Sequence, residues 1–284
     1  MLELINLTKK WGNETVIDNF NLEFQNGINV LLAPNGAGKT TLMKMITTLA
    51  IPTSGEIRYL GKDIFKLDKK YRNLVGYLPQ KVACYKNYSA EDFLHFLAVV
   101  KDVNPKEIKT RINELLELVE LTEVKKKKVG TFSGGMLQRL MIAGVIINEP
   151  KIVVLDEPTT GLDPKERIRF KNIISSISRE RIVIISTHIT SEIEFIANRV
   201  IMLKDRKILY NALTEDVIRK VEGKIYETCV EYDQLKAFEA KYLVISERQQ
   251  NDNVILRFFC DADLPEGSKC VAPRLEDVFI VSYR

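Results

Sequence analysis

The sequence predicts an α/β fold built on a mostly parallel sheet, and three observations carry that expectation. Apolar runs of strand length alternate with amphipathic runs of helical spacing through the first two-thirds of the chain. The β-branched run Ile28 to Leu32 leads into Ala33-Pro34-Asn35-Gly36-Ala37-Gly38-Lys39-Thr40-Thr41, and an amphipathic segment leads out. Further on, Ile152-Val153-Val154-Leu155 runs into Asp156-Glu157, the pattern of a buried parallel strand with acids at its C-terminal end.

In order, residues 2–27 read as short strands with turns at Gly12-Asn13 and Asn26-Gly27. A strand from Glu56 to Leu60 follows a turn at Pro52 to Gly55, and another spans Leu74 to Leu78 ahead of Pro79-Gln80. Residues 81–150 then read as a helical insertion. Ser89 with Asp92 forms a capping box ahead of Phe93, Phe96, Leu97 and Val100. Asn104-Pro105 opens a second helix with Ile108, Ile112, Leu115, Leu116 and Val119 on one face. Lys125 to Lys128 is read as a solvated connection.

Ser133-Gly134-Gly135 opens a helix that buries Leu140, Met141 and Val145. After the acidic strand, Asp163-Pro164 caps a helix with Ile168, Ile173, Ile174 and Ile177 at core spacing, and Arg181 to Ser186 is one more buried strand. His188, a short helix from Ser191 to Asn198 and a hairpin from Val200 to Tyr210 complete the body. From Thr214 the texture changes to strands at Lys224–Tyr232, Tyr242–Glu247 and Val254–Cys260, a helix near Leu235–Ala240 and a helical end after Pro273. These define an expected body of residues 1–210 and a small α+β accessory domain of residues 211–284.

Composition narrows the function classes. The 284 residues, 45% apolar and 28% charged, suit one large core with a smaller unit appended. The longest apolar run, Leu140 to Ile147, fits a buried helix and is too short to span a bilayer. The start, Met1-Leu2-Glu3, lacks the features of a signal peptide. Cys84, Cys229, Cys260 and Cys270 show no metal or disulfide spacing, so cytosol is expected. The net charge of +4 argues for no nucleic-acid partner by itself, but it is uneven. From Asn211 onward 10 Lys and Arg face 14 Asp and Glu, which leaves +8 on the earlier part. A basic body suits anionic nucleotides or an anionic membrane face, and a solvated surface explains it equally well.

The motifs carry the chemistry. Gly36 and Gly38 let backbone N–H groups turn inward around phosphate oxygens, and the helix that begins at Lys39 adds its positive end. Lys39 would reach the β- and γ-phosphates, and Thr40 would offer its hydroxyl to Mg²⁺. Ala33 stands where a phosphate loop ordinarily starts with glycine; it is harmless with negative φ and costly with positive φ. Ser133 as N-cap and the paired glycines after it leave N–H groups open to a second anion. Trp11, the only tryptophan, reads from position alone as a core residue.

The order GAGKTT, a Gln after a strand, SGG, an apolar strand ending Asp-Glu and a lone His resembles the ATP-binding cassette (ABC) family over residues 1–210. The closing Pro273-Arg274-Leu275-Glu276-Asp277-Val278-Phe279 resembles the end of drug- and antibiotic-exporter cassettes of the bacitracin-resistance type. The resemblance implies a P-loop NTPase fold with an antiparallel β subdomain and a helical insertion over about 81–150. It also implies two cassettes, expected as a homodimer, with ATP between one subunit's phosphate loop and the other's Ser133-Gly134-Gly135. Trp11 then becomes the adenine-stacking aromatic, against the reading from position.

By the same resemblance Gln80 contacts Mg²⁺ and the attacking water, Asp156 holds the metal, Glu157 is the general base and His188 holds the γ-phosphate. Asp163 lies at the dimer seam, and Met136 replaces the usual signature glutamine. The implied protein is an ATPase subunit on the cytoplasmic face of the membrane. It powers export of a small molecule or peptide through a separate transmembrane permease. The alternative is a soluble ATP-driven switch. A ribosomal switch would carry two cassettes and a repair protein long heptad coils, whereas this chain has one GKTT, one SGG and a short insertion. A non-hydrolysing regulatory module would be expected to lack Glu157 or His188; both are present.

Overall fold

The computed structural model describes residues 1–81, 84–190 and 193–284. The chain divides into two compact units, Met1–Asn211 and Ala212–Arg284.

The first unit opens with a hairpin of β1 (Leu2–Trp11) and β2 (Glu14–Phe24), paired from Leu2↔Phe24 to Trp11↔Glu14. These strands are longer than the short ones expected. Three register shifts let Leu2, Leu4 and Leu7 stay inward with Ile17, Phe20, Leu22 and Phe24 past polar interruptions. Next come β3 (Gly27–Leu32), α1 (Lys39–Ile46), β4 (Ser54–Tyr59) and β5 (Lys62–Asp63). Two short helices without a clear sequence period follow, α2 (Ile64–Leu67) and α3 (Lys69–Arg72), and then β6 (Val75–Leu78). An antiparallel sheet of order β2-β1-β4-β5 results.

The insertion comprises α4 (Ala90–Val100), α5 (Ile108–Leu118) and α6 (Gly134–Val145). The capping box forms at α4, with the Ser89 hydroxyl accepting from the Asp92 N–H. Its buried face is Phe93, Leu94 and Ala98, however, while Phe96 is 36% and Val100 60% exposed. All five expected apolar residues around α5 are buried, and α6 buries Arg139 as well as Leu140 and Val145 while leaving Met141 only half-buried.

The body continues with β7 (Ile152–Asp156), α7 (Pro164–Ile177), β8 (Ile182–Thr187), β9 (Arg199–Lys204) and β10 (Lys207–Leu213). Asp163 caps α7 by accepting from the Glu166 N–H, with Pro164 at its first turn. The core face holds Phe170, Ile173, Ile174 and Ile177; Ile168 is 61% exposed, so its place in the expected stripe was wrong. The expected helix at 191–198 begins outside the described residues, and its described part is turn.

Six strands form the central sheet in the order β10-β9-β3-β8-β7-β6. The pairs β9/β3, β3/β8, β8/β7 and β7/β6 are parallel, so the C-terminal ends of β3, β6, β7 and β8 share one edge. Every residue of β7 and β8 is buried, which is why these strands read as unbroken apolar runs. Ligands collect at that edge in open α/β sheets.

The second unit holds α8 (Thr214–Ile218), β11 (Ile225–Glu231), α9 (Leu235–Lys241), β12 (Leu243–Gln250), β13 (Asn253–Phe259), β14 (Lys269–Cys270) and α10 (Leu275–Tyr283). Its sheet has the order β12-β13-β11-β14. Strand β14 is only two residues long and had no sequence signal. Leu275 and Val278 are buried, and Phe279 is half-buried against Tyr283.

Candidate active site

The phosphate loop leaves β3 at the shared edge. Gly36 and Gly38 take φ of 82° and 95°, conformations that glycine adopts without strain, and Gly38 precedes the first turn of α1. Ala33 is absent from the positive-φ positions, is fully buried and donates its N–H to the Thr187 carbonyl. The missing first glycine is therefore harmless to the backbone. A cavity of about 390 Å³ opens over the loop, lined by Val16, Asn35 to Thr41, Gln80 and Glu157.

Lys39 reaches back along this loop. Its ammonium donates to the carbonyls of Ala33 (2.6 Å) and Pro34 (3.1 Å) and lies 3.7 Å from Glu157 Oε1. Burial lowers its pKa, and Glu157 and Asp156 partly oppose that effect. An anion entering the cavity meets a cation with little water around it, so the attraction is strong.

Asp156 and Glu157 end β7 in different environments. Asp156 is buried; its Oδ1 accepts from the Ser186 hydroxyl at 2.6 Å, and its Oδ2 has no hydrogen-bond partner among the described residues. Glu157 turns out of the strand with φ of 47°, a left-handed conformation that costs on the order of 1–3 kcal/mol. Its N–H is held there by the Ser186 Oγ (2.9 Å) and carbonyl (3.2 Å). The turn aims its carboxylate at three groups. Gln80 Nε2 donates to Oε2 at 3.1 Å, His188 Nδ1 lies 3.3 Å from Oε1, and Lys39 stands beside Oε1. Neighbouring Tyr77 on β6 is pushed up to about 12, chiefly by burial and then by the Asp156 charge, so its phenol stays protonated.

The structure thus brings Lys39, Thr40, Gln80, Asp156, Glu157 and His188 to one strand edge. Trp11 and Ser133-Gly134-Gly135 do not line this cavity. Trp11 is 53% exposed at the end of β1, which corrects the core reading from position. Ser133 caps α6 through the Met136 N–H, and beyond its own helix Gly134 has no atom of the described residues within 4 Å of where a Cβ would stand. That helix start is an open surface on this chain.

Ser186, Gln138 and Val16 were missed. Ser186 pairs in register with Asp156 across β7 and β8, and a hydroxyl ending an apolar strand beside an acid was the available signal. Gln138 on α6 donates to the Pro158 carbonyl at 2.7 Å, tying the SGG helix to the turn that carries Glu157. Val16 lines the cavity from the β hairpin, and only tertiary packing places it there.

The residues present fit a divalent cation bound with a polyphosphate. Asp156 Oδ2 is an unpartnered buried acceptor, and Thr40 opens onto the same edge. No group of three or more His, Cys, Asp and Glu side chains stands ready to hold a metal among the described residues. Phosphate oxygens and water would have to complete the coordination, as is usual for Mg²⁺.

Fold and loop together define a P-loop nucleotide-binding protein. The family described as ABC transporter matches residues 17–160. The bacitracin transport ATP-binding protein BcrA of Bacillus licheniformis is 35% identical over 259 residues, covering 90% of this chain and 78% of the relative. The lantibiotic transport ATP-binding protein SrtF of Streptococcus pyogenes is 38% identical over 211 residues, covering 74% and 89% respectively. A solved dimeric bacterial ABC transporter cassette superposes with a TM-score of 0.67 at 27% identity, covering 75% of this chain and 99% of that one. The chain belongs to the ABC transporter family and is one of its ATP-binding, ATP-hydrolysing cassettes. No described helix is long and apolar enough to cross a membrane.

Proposed function

We propose that two cassettes close on Mg²⁺-ATP and hydrolyse it, driving export of a small molecule or peptide of the antibiotic type through a separate membrane subunit. The site of action is the cytoplasmic face of the membrane. One observation carries the chemistry: Glu157 is gathered with Lys39, Gln80 and His188, while Asp156 beside it keeps a buried oxygen with no hydrogen-bond partner among the described residues.

Thr40, Asp156 and Gln80 would hold Mg²⁺, which when bound neutralises charge on the phosphates. Lys39 binds the β- and γ-phosphates and offsets charge that develops on them. Glu157 accepts the proton of the attacking water, and the Gln80 amide and His188 fix its orientation. His188 also bonds the γ-phosphate. Trp11 stacks on adenine.

Assembly follows from what one chain lacks. Ser133 and Gly134 are exposed at a helix start that lies off the chain's own cavity, with Gly135 packed beneath them, so this helix start would serve the nucleotide of a facing cassette. The related solved cassette is dimeric, which supports this arrangement. An aromatic cluster on the insertion, Tyr85 stacked on Tyr88 with Phe96 edge-on to both and ring centroids 5.1 to 6.3 Å apart, leaves all three residues exposed. Such a patch suits a protein contact, here the membrane subunit. The export direction and substrate type rest on relatives named for bacitracin and lantibiotic transport. A soluble switch finds no comparable support.

Two measurements test this reading. Purified protein should hydrolyse ATP only with Mg²⁺ present, and affinity purification from solubilised membranes should recover a polytopic membrane polypeptide. Metal-independent turnover would remove the catalytic assignment; recovery of ribosomes or DNA in its place would favour the switch.

A further inference from the structure

The only tryptophan of the chain carries a cation on its ring. Lys9 Nζ lies 4.1 Å from the centroid of Trp11, within the range of a favourable cation–π contact. The same ammonium donates to the Ile51 carbonyl at 2.7 Å. Ile51 follows α1, the helix that begins at Lys39, so Lys9 ties the indole to the phosphate-loop unit. Residues 9 and 11 lie two apart on β1 and so share a face of the strand. Lys9 pairs across the hairpin with Ile17. A Cβ built on Gly38 would stand 3.4 Å from Ile17, which places this strand pair against the phosphate loop.

Resting on the ATP reading above, we propose that Lys9 is a positioning residue for the nucleotide base. Its ammonium covers one face of Trp11 and leaves the opposite face to the adenine ring. Trp11 is more than half exposed at a strand end, and without a tether its ring must be ordered anew whenever a base stacks on it. Lys9, fixed by a backbone carbonyl, supplies that order beforehand. It also selects the face on which the base settles, so the triphosphate enters the loop in one orientation. Lys9 lies outside the phosphate-binding residues, and its effect falls on the base alone.

Because Trp11 is the sole tryptophan, its emission reports this subsite directly. Intact protein is titrated with ATP by fluorescence and with inorganic triphosphate, which has no base, by calorimetry. Lys9→Met should weaken ATP binding about two- to fivefold, the range of an exposed cation–π contact, while triphosphate binding stays unchanged. Lys9→Arg, which restores a cation, should recover most of the loss. Unchanged or tighter ATP binding by Lys9→Met overturns the positioning role, the tighter case showing that the ammonium competes with the base. An equal loss for triphosphate also overturns it, because the effect would then be electrostatic or structural. Wild-type protein that fails to bind triphosphate, or Lys39→Ala that binds it as well as wild type, overturns the ATP-site reading itself.

Discussion

The Lys39 ammonium stands 3.7 Å from the Glu157 carboxylate, although one residue begins α1 and the other follows β7. Glu157 is the carboxylate within ion-pair distance of Lys39, and on the proposed mechanism the two have different tasks. Lys39→Ala should weaken ATP binding itself. Glu157→Gln should preserve shape and binding while lowering turnover by on the order of 10²–10⁴. It should also trap an ATP-bound dimer, visible by sizing chromatography with ATP. Near-normal hydrolysis by the Gln variant would dismiss Glu157 as the base.

Burial of Lys39 gives a pH dependence with a definite sign. Its pKa is lowered from 10.5, so in the interval below 10.5 the unfolded chain holds this proton more often than the folded chain does. Stability from this site therefore rises with pH across that interval. Urea unfolding at about pH 8 and about pH 10 should show a larger upward change in wild type than in Lys39→Met. Equal changes would mean that the folded-state ammonium is not destabilised.

Gly134 and Gly135 are adjacent but should respond oppositely to alanine. A Cβ on Gly135 would lie 2.6 Å from the Glu166 carboxylate, which Arg139 and Arg169 hold in place. Gly135→Ala should destabilise the isolated protein by about 1–3 kcal/mol through overpacking. Gly134→Ala meets no other side chain or loop among the described residues, so folding should be unaffected while ATP-dependent dimerisation and turnover fall. If Gly134→Ala dimerises and turns over normally, this helix start does not face a partner's nucleotide.

Ala33→Gly should leave ATP affinity nearly unchanged, since φ at this position is not positive. Added freedom in the unfolded chain costs about 0.4–1 kcal/mol, and loss of a buried methyl adds to it. A rise in thermal midpoint would show that Ala33 is strained after all.

In the second unit Arg257 donates to both carboxylate oxygens of Asp277, at 2.8 and 2.7 Å, and to the Ala272 carbonyl. Both side chains are buried, and hydrogen bonding to Asp277 foremost holds the guanidinium charged. Asp277→Ala leaves that charge with only the part-exposed Glu227 carboxylate, 3.2 Å away, and should cost about 3 kcal/mol in denaturant unfolding, the lower end for a broken buried pair. Replacing both residues by apolar ones of similar size should recover most of it. A small effect from the single change would mean that Glu227 and water suffice to hold the guanidinium.

The sequence by itself determined the alternation of strand and helix, the phosphate loop, and the acids ending β7. Each is a local property: glycines at turns, unbroken apolar runs where a strand is covered on both faces, a capping serine ahead of a helical period. The helix faces at Phe96 and Ile168 were misjudged for the same reason. An apolar side chain at a plausible spacing says nothing of whether another element covers it. What only the tertiary structure decided is relational. Ser186 became part of the site because parallel pairing puts it opposite Asp156, and Arg257 found Asp277 twenty residues away. The ammonium of Lys9 that rests on Trp11 also bonds the Ile51 carbonyl, more than forty residues away. Such contacts join distant segments through the registry of a folded sheet, and no local periodicity encodes them.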